Sequence, residues 1–258
     1  ESCMSYVCEA ARKAVSVPLI NAGTHNPESA VELIESGNVD FINMGRALIA
    51  DPELPNKLLE GRPEDVRPCL RCNEYCIGRI WDKHTKLSCA VNPQAMEEVR
   101  FAIKKTENPK NVVVIGGGPG GMEAARVAAI EGHKVTLFEK SDKLGGVMGD
   151  ICTAKFKQNI KKLTKWYTVQ LDKLGVDIHL NTEITGDEKI LEECDNIIIG
   201  CGSKPITPPI PGIDGANVIT MLAAHRDASL IKGENIVVCG GGASGCDGAL
   251  EMASEMGK

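Results

Sequence analysis

The sequence predicts an α/β fold in which parallel strands alternate with helices, interrupted once by a cysteine-rich segment. Three observations carry that prediction. Short apolar runs end in glycine turns and lead into stretches with helical apolar spacing. Four cysteines fall together as Cys69-x2-Cys72-x3-Cys76-x12-Cys89. Two glycine-rich turns, at 116–121 and 240–245, each join an apolar run to a helical pattern.

Composition narrows the classes. The chain has 258 residues, 43% hydrophobic and 25% charged, which allows one large or two ordinary domains. A net charge of −6 lacks the basic face that a nucleic-acid partner needs. No apolar run approaches the roughly 18 residues of a membrane span, and no signal-peptide pattern opens the chain. Eleven cysteines, four of them clustered, fit a reducing cytoplasm better than a disulfide framework. Both ends read as interior to something longer: Glu1 is not an initiator methionine, and the chain stops at Gly257-Lys258 where a helix should hand over to a strand.

Met4, Val7, Cys8, Ala11 and Val15 have helical spacing within residues 1–16. Val17-Pro18-Leu19-Ile20 then reads as a buried strand ending at Asn21-Ala22-Gly23-Thr24. Asn26 caps a helix with Pro27 in its first turn, Val31 and Ile34 inside and Gly37 as its stop. Asp40 to Met44 is a second buried strand, leading to Gly45-Arg46. Strand, helix, strand with short connections is a parallel unit. In an eight-fold barrel, the loops after the last two strands form a phosphate site. Here those loops are Ala22-Gly23-Thr24 and Gly45-Arg46: glycine admits a phosphate close to the main chain, and a guanidinium pairs its oxygens.

The cysteines come next. Structural zinc usually takes two well-separated pairs of ligands, whereas here three crowd one loop and the fourth returns from a distance. That layout suits a cubane iron–sulfur cluster, with zinc, or buried thiols that bind nothing, as the alternatives. Pro68, Asn73, Gly78 and Asn92-Pro93 supply the turns.

Residues 97–110 are charged and read as a linker. Val112 to Ile115 is a buried strand, and Gly116, Gly118 and Gly121 then fit G-x-G-x-x-G. The first glycine permits the tight turn, the second the approach of a pyrophosphate and the third close helix packing. A helix from Met122 to Glu131 stops at Gly132, and the strand Val135 to Phe138 ends in Glu139, a carboxylate placed to accept both ribose hydroxyls. Phe156, Ile160, Leu163, Tyr167, Leu171 and Leu174 mark a lysine-rich helix, with the lysines on its solvated face, and Val176, Ile178 and Leu180 alternate as a strand. Asn196 to Gly202 reads as a buried strand entering a turn, with Cys201 as a small buried residue. Pro205, Pro208, Pro209 and Pro211 stiffen a crossing segment before the strand Ile236 to Cys239. Gly240, Gly242 and Gly245 repeat the fingerprint ahead of a helix from Cys246 to Met256. Two such turns imply two nucleotides, but spacing does not say which turn takes which.

The run from Met44 to Pro55 resembles the end of the flavin barrel in the old yellow enzyme family. Barrel end, cysteine segment, Val91-Asn92-Pro93 and then a dinucleotide fold is the order in that family's long members, which include 2,4-dienoyl-CoA reductases, 2-enoate reductases and trimethylamine dehydrogenase. The resemblance implies the C-terminal end of a TIM barrel over 1–62, an iron–sulfur segment over 63–96, a linker over 97–110, part of a Rossmann-like FAD domain over 111–212 and the start of an inserted NAD(P) domain over 213–258. It implies FMN at Gly23, Gly45 and Arg46, and a 4Fe–4S cluster on Cys69, Cys72, Cys76 and Cys89. FAD would lie at Gly116, Gly118, Gly121 and Glu139, with Gly146 of Leu144-Gly145-Gly146 and Gly202 of Gly200-Cys201-Gly202. NAD(P)H would lie at Gly240, Gly242 and Gly245. Where this chain has Gly200-Cys201-Gly202 the related reductases usually have Ala-Thr-Gly, so any hydroxyl contact is lost.

The implied activity is reduction of a small molecule carrying an activated C=C, in the cytoplasm, with no nucleic-acid or membrane partner and with room for a homo-oligomer. Two alternatives stand beside it: an amine dehydrogenase running electrons the other way, and a non-catalytic electron-transfer module with structural zinc. No catalytic residue is identified, because the proton donor and substrate pocket of this family belong to earlier parts of the barrel.

Overall fold

The computed structural model describes residues 4–255. The start of the expected first helix, Met256 at the end of the expected last one and Gly257-Lys258 lie outside the described residues. The chain divides into two compact units, Glu1–Ile103 and Lys104–Lys258, at a point within the charged stretch 97–110.

The first unit runs α1 (Ser5–Ala14), β1 (Ile20–Ala22), α2 (Pro27–Glu35), β2 (Phe41–Asn43), α3 (Gly45–Ala50), α4 (Leu54–Leu59) and α5 (Ile77–Trp81). β1 and β2 pair in parallel, Ile20 opposite Phe41, with α2 as the crossover. The Asn26 cap forms as expected: its side chain accepts from the Ser29 amide at 2.8 Å while its own amide donates to Ser29 Oγ at 3.1 Å. Asp40 fixes the strand starts, accepting from the Leu19 amide at 2.7 Å and the Arg12 guanidinium at 2.5 Å. These two donors hold its carboxyl below the usual carboxylate range.

Three expectations change here. The strand begins at Ile20 rather than Val17: Pro18 has no N–H to give a ladder, and the Leu19 carbonyl accepts from the Asp40 and Phe41 amides before regular pairing starts. α2 buries Ala30 and Leu33 and leaves Val31 and Ile34 exposed. Both pairs are apolar at the same spacing, so tertiary packing chooses between them, with Leu33 in a cluster with Cys8 and Val39. Phe41 and Ile20 are exposed because β1 and β2, among the described residues, pair only with each other.

The second unit runs β3 (Asn111–Ile115), α6 (Pro119–Glu131), β4 (Lys134–Phe138), α7 (Gly146–Asp150), α8 (Gln158–Lys173), β5 (Asp177–His179), α9 (Lys189–Glu193), β6 (Asn196–Ile199), α10 (Met221–Arg226) and α11 (Ala243–Glu255). The sheet is parallel throughout, in the order β5-β4-β3-β6. α6 buries Met122 and Ala125, and packs against α8, which contributes Leu163, Trp166, Tyr167 and Leu171. Arg126, itself buried, is gripped by Glu123 at 2.8 Å and lies 5.6 Å over the Trp166 ring.

Corrections follow here as well. Phe156 is exposed, because it precedes α8 in a short 3-10 turn; Trp166 takes a core place that spacing did not assign. β6 forms but is exposed on both faces, because among the described residues it is an edge strand paired only with β3. Cys201 at its end is exposed too, not buried. Residues 236–239 form no strand; a strand needs a neighbouring ladder, which they lack among the described residues, and Val237 is 84% exposed.

Candidate cofactor sites

In the first unit, Gly23 on the loop after β1 and Gly45 and Arg46 after β2 line one hollow. Thr24, His25, Cys69 and Arg71 complete its working wall. Its volume, about 260 Å³, falls below the roughly 300–1,000 Å³ of a complete small-molecule site. That suits the phosphate end of a nucleotide, not the whole of it. Two guanidiniums, Arg46 and Arg71, face this hollow. Beside them, burial and then the Arg71 charge push His25 below its ordinary pKa, so its ring stays neutral. Its Nε2 lies 2.6 Å from Asn21 Oδ1.

A second hollow adjoins the first. All four cysteines, Cys69, Cys72, Cys76 and Cys89, line it together with Arg46, Arg71 and Asn73, and Ile49, Leu70 and Val91 make its apolar wall. Cys69, Arg46 and Arg71 border both hollows. Among the described residues no group of three or more His, Cys, Asp or Glu side chains is arranged to hold a single metal ion. The four thiols line one hollow, and four thiolates are the donor set that an iron–sulfur cluster takes. Burial pushes the Cys69 thiol up, outweighing the Arg71 amide and the Arg46 charge, which favour its thiolate.

The cysteine segment is closed on itself by buried polar bonds. Arg67, two residues before Cys69, donates through Nη1 to the Val91 carbonyl at 3.0 Å and to Asn92 Oδ1 at 3.1 Å. Asn92 Nδ2 donates to the Ile49 carbonyl at 2.9 Å, and buried Asp51 accepts from the Arg67 amide at 2.7 Å. Those bonds bring Cys89 back to Cys69. Within the loop, Ser88 N donates to the Tyr75 carbonyl at 2.9 Å, and Arg71 and Asn73 turn the chain with φ of 59° and 56°.

In the second unit the loop from β3 to α6 has φ of 107° at Gly116, a conformation that excludes most side chains. A Cβ on Gly121 would stand 1.8 Å from the Gly116 carbonyl oxygen, so the helix starts against the turn. A Cβ on Gly118 would meet nothing within 4 Å, which leaves the approach open. Gly146, after β4, comes so close to Gly118 that its Cβ would lie 3.1 Å from the Gly118 Cα. Gly202 has φ of 71° with open space around it, just beyond the end of β6.

Glu139 is buried at the end of β4, where three protein donors meet its carboxylate. Oε2 accepts from the Gly117 amide at 2.7 Å, and Oε1 faces the Ser141 amide at 2.8 Å and Ser141 Oγ at 2.7 Å. Burial works to raise its pKa, but these donors outweigh it and hold the carboxyl below its ordinary value. Counting lone pairs, Oε2 retains one for a ribose hydroxyl; two such bonds would require displacing Ser141.

The second fingerprint repeats the first in detail. Gly240 has φ of 117°, and a Cβ on Gly245 would stand 1.9 Å from the Gly240 oxygen. Cys246 N donates to the Gly242 carbonyl at 3.0 Å, matching Met122 N to Gly118 at 2.9 Å. Sequence reasoning missed Arg71, His25, Ser141 and the Arg67–Asp51 pair. Only Arg71 left a sign, as a bulky residue where a loop between two cysteines must turn.

Comparison with known proteins gives two family matches: pyridine nucleotide-disulphide oxidoreductase over residues 110–258, and the NADH:flavin oxidoreductase / NADH oxidase family over residues 4–65. A cinnamate reductase from Clostridium sporogenes is 42% identical over 96% of this chain and 37% of its own length. An N,N-dimethylglycine/sarcosine dehydrogenase from Chromohalobacter salexigens is 37% identical over 88% of this chain and 34% of its own length. The solved structure of a 2-naphthoyl-CoA reductase in complex with 2-naphthoyl-CoA matches 99% of this chain and 39% of that one, with 33% identity and a TM-score of 0.87. The chain thus spans between a third and two fifths of the length of these relatives.

Proposed function

Because the chain belongs to the long old yellow enzyme family, in which an NADH:flavin oxidoreductase barrel is continued by a pyridine nucleotide-disulphide oxidoreductase domain, we propose that the protein passes electrons from NAD(P)H, by way of FAD and a 4Fe–4S cluster, to FMN for the reduction of an activated C=C. The proposed division is barrel end at 1–62, cluster segment at 63–96, linker at 97–110, FAD domain at 111–212 and the start of the NAD(P) domain at 213–258.

The observation that carries this reading is the shared wall. Cys69, Arg46 and Arg71 border both the phosphate-sized hollow and the cysteine-lined one, so a flavin and a cluster held there would be neighbours. Bound in these places, the flavins would supply hydride chemistry and the cluster single-electron transfer. The chain's own residues do the rest. Arg46 pairs the phosphate, with Gly23 and Gly45 admitting it to the main chain. Cys69, Cys72, Cys76 and Cys89 hold iron. Gly116, Gly118 and Gly121 cradle a pyrophosphate, Gly146 lets its loop close on Gly118, Gly202 leaves open space, and Glu139 accepts from a ribose through Oε2. Gly240, Gly242 and Gly245 do the same for the nicotinamide dinucleotide.

The amine-oxidising relatives favour a second reading in which electrons enter at FMN. One anaerobic experiment separates the two. Under the first reading, NAD(P)H reduces the protein and an unsaturated carboxylate such as cinnamate reoxidises it. Reduction by dimethylglycine, with no response to NAD(P)H, would reverse the direction. Iron and sulfide analysis of the same sample, expected at about four of each, checks the cluster, and full iron content in Cys72→Ala would sink that ligand set.

A further inference from the structure

We infer that Arg71 is a positioning residue that ties the phosphate pocket to the cysteine loop, so that filling either site steadies the other; this rests on placing FMN and a cluster in those two hollows. Arg71 stands between Cys69 and Cys72 with φ of 59°, a backbone conformation that glycine adopts freely and arginine does not. Nothing in the turn itself calls for a long cationic side chain. The guanidinium instead leaves its own loop and donates through Nη2 to the Thr24 carbonyl at 2.9 Å, on the loop that follows β1. The Arg71 amide meanwhile lies 3.4 Å from Cys69 Sγ. One residue therefore contacts a thiol with its main chain and the neighbouring pocket with its side chain.

A second arginine makes the reverse connection. Arg46, at the start of α3, donates through Nη1 to Asn73 Oδ1 at 2.5 Å, on the far side of Cys72. The two links run in opposite directions and together fasten the cysteine loop to both phosphate loops. A guanidinium has five N–H donors in a rigid fork, so Arg46 can keep its link to Asn73 and still offer N–H groups to an anion. If binding in one hollow orders a loop that also walls the other, the coupling must act equally in both directions.

The test uses the full-length holoprotein and its Arg71→Gly and Arg46→Ala variants. Glycine accepts the positive φ, so Arg71→Gly should keep parental iron and sulfide. Losing a charge-assisted bond should speed FMN release, followed by flavin fluorescence after dilution, by about tenfold or more. Removing iron with a chelator should also speed FMN release in the parent, but should add nothing in Arg71→Gly. Parental FMN release in Arg71→Gly, or an undiminished chelator effect in that variant, overturns the link. If Arg71→Gly loses iron, Arg71→Asn, which also tolerates the left-handed region, replaces it. Iron loss from both would confine Arg71 to shaping its own loop, and would overturn the link as well. Arg46→Ala separates the premise from the inference: FMN loss there with parental release in Arg71→Gly sinks only the link. Full FMN retention in Arg46→Ala sinks the placement of FMN itself.

Discussion

Gly118 and Gly121 sit three residues apart in one turn, yet valine at each should fail differently. At Gly121 a Cβ would stand 1.8 Å from the Gly116 oxygen and 3.1 Å from the Gly116 carbon. Ordinary contact begins near 3.5 Å, so the start of α6 must move by well over an ångström. Gly116 itself packs closely on the Gly200 main chain, since a Cβ added there would stand 2.4 Å from the Gly200 oxygen. Overpacking typically costs about 1–3 kcal/mol, and with main chain on both sides the upper end applies. At about 2–4 °C per kcal/mol, the second unit of Gly121→Val should melt about 6–12 °C lower. Gly118 has φ of −73° and nothing within 4 Å of its Cβ position. Gly118→Val should therefore change stability by no more than about 0.5 kcal/mol. It should instead displace a pyrophosphate from two main-chain donors, about 3 kcal/mol or roughly a hundredfold in FAD affinity. The assay is thermal unfolding of FAD-stripped protein, since bound ligand would itself raise the melting temperature, followed by FAD titration. If Gly118→Val binds FAD as the parent does, or melts as low as Gly121→Val, the assignment of roles within this turn is refuted.

Gly242→Val, also with open space at its Cβ position, should retain iron and both flavins but lose reduction by NAD(P)H, while dithionite still reduces it; loss of FAD instead would invert the order of the two dinucleotide sites. Asn92→Ala removes acceptor and donor bonds to Arg67 and Ile49 from a buried position, which should destabilise the first unit by about 2–3 kcal/mol in denaturant unfolding and lower iron content; parental iron with parental stability would remove Asn92 from the closure of the cysteine loop. His25 has a depressed folded-state pKa, so it leaves stability unchanged above about pH 6.5, where the ring is neutral folded or unfolded. As pH falls below that, the unfolded chain takes the proton first and the first unit loses stability until the folded pKa is passed. Arg71→Gly removes one cause of the depression, so the His25 ring resonances should titrate at higher pH than in the parent.

How much was legible in advance depends on how local each determinant is. The Asn26 cap and the Gly116 turn are set within a few residues, and each forms as read; so does the succession β3, α6, β4 that ends at Glu139. α2 shows where local reading ends: its spacing gives a helix, but Ala30-Leu33 and Val31-Ile34 satisfy the same periodicity, and the choice falls to tertiary packing, such as that of Leu33 with Cys8 and Val39. Exposure of the isoleucines on β6 has the same origin, since an apolar run states a preference for burial without naming the neighbour that would provide it. Arg71 lies furthest from local reading. Its partner Thr24 is 47 residues away, and no spacing rule connects a turn between cysteines to a loop after a strand.

The two fingerprints separate what a turn encodes by itself from what tertiary structure adds. Around Gly240 the positive φ, the closure of Gly245 on the Gly240 oxygen and the Gly242–Cys246 bond all match the Gly116 turn, although residues 236–239 form no strand. The shape of the loop therefore needs no sheet beneath it; glycine at three spaced positions and the helix that follows suffice. What distinguishes the first turn is company. Glu139 binds the Gly117 amide, Gly145 donates to the Gly117 carbonyl at 2.9 Å, and the Gly200 amide bonds to Ile115 at 2.7 Å at the end of the same strand. Those contacts fix the first loop in place, so a pyrophosphate bound there as proposed would have less ordering to impose. A glycine motif alone thus specifies the shape of the turn, and the carboxylate and loops packed on it hold that turn in place.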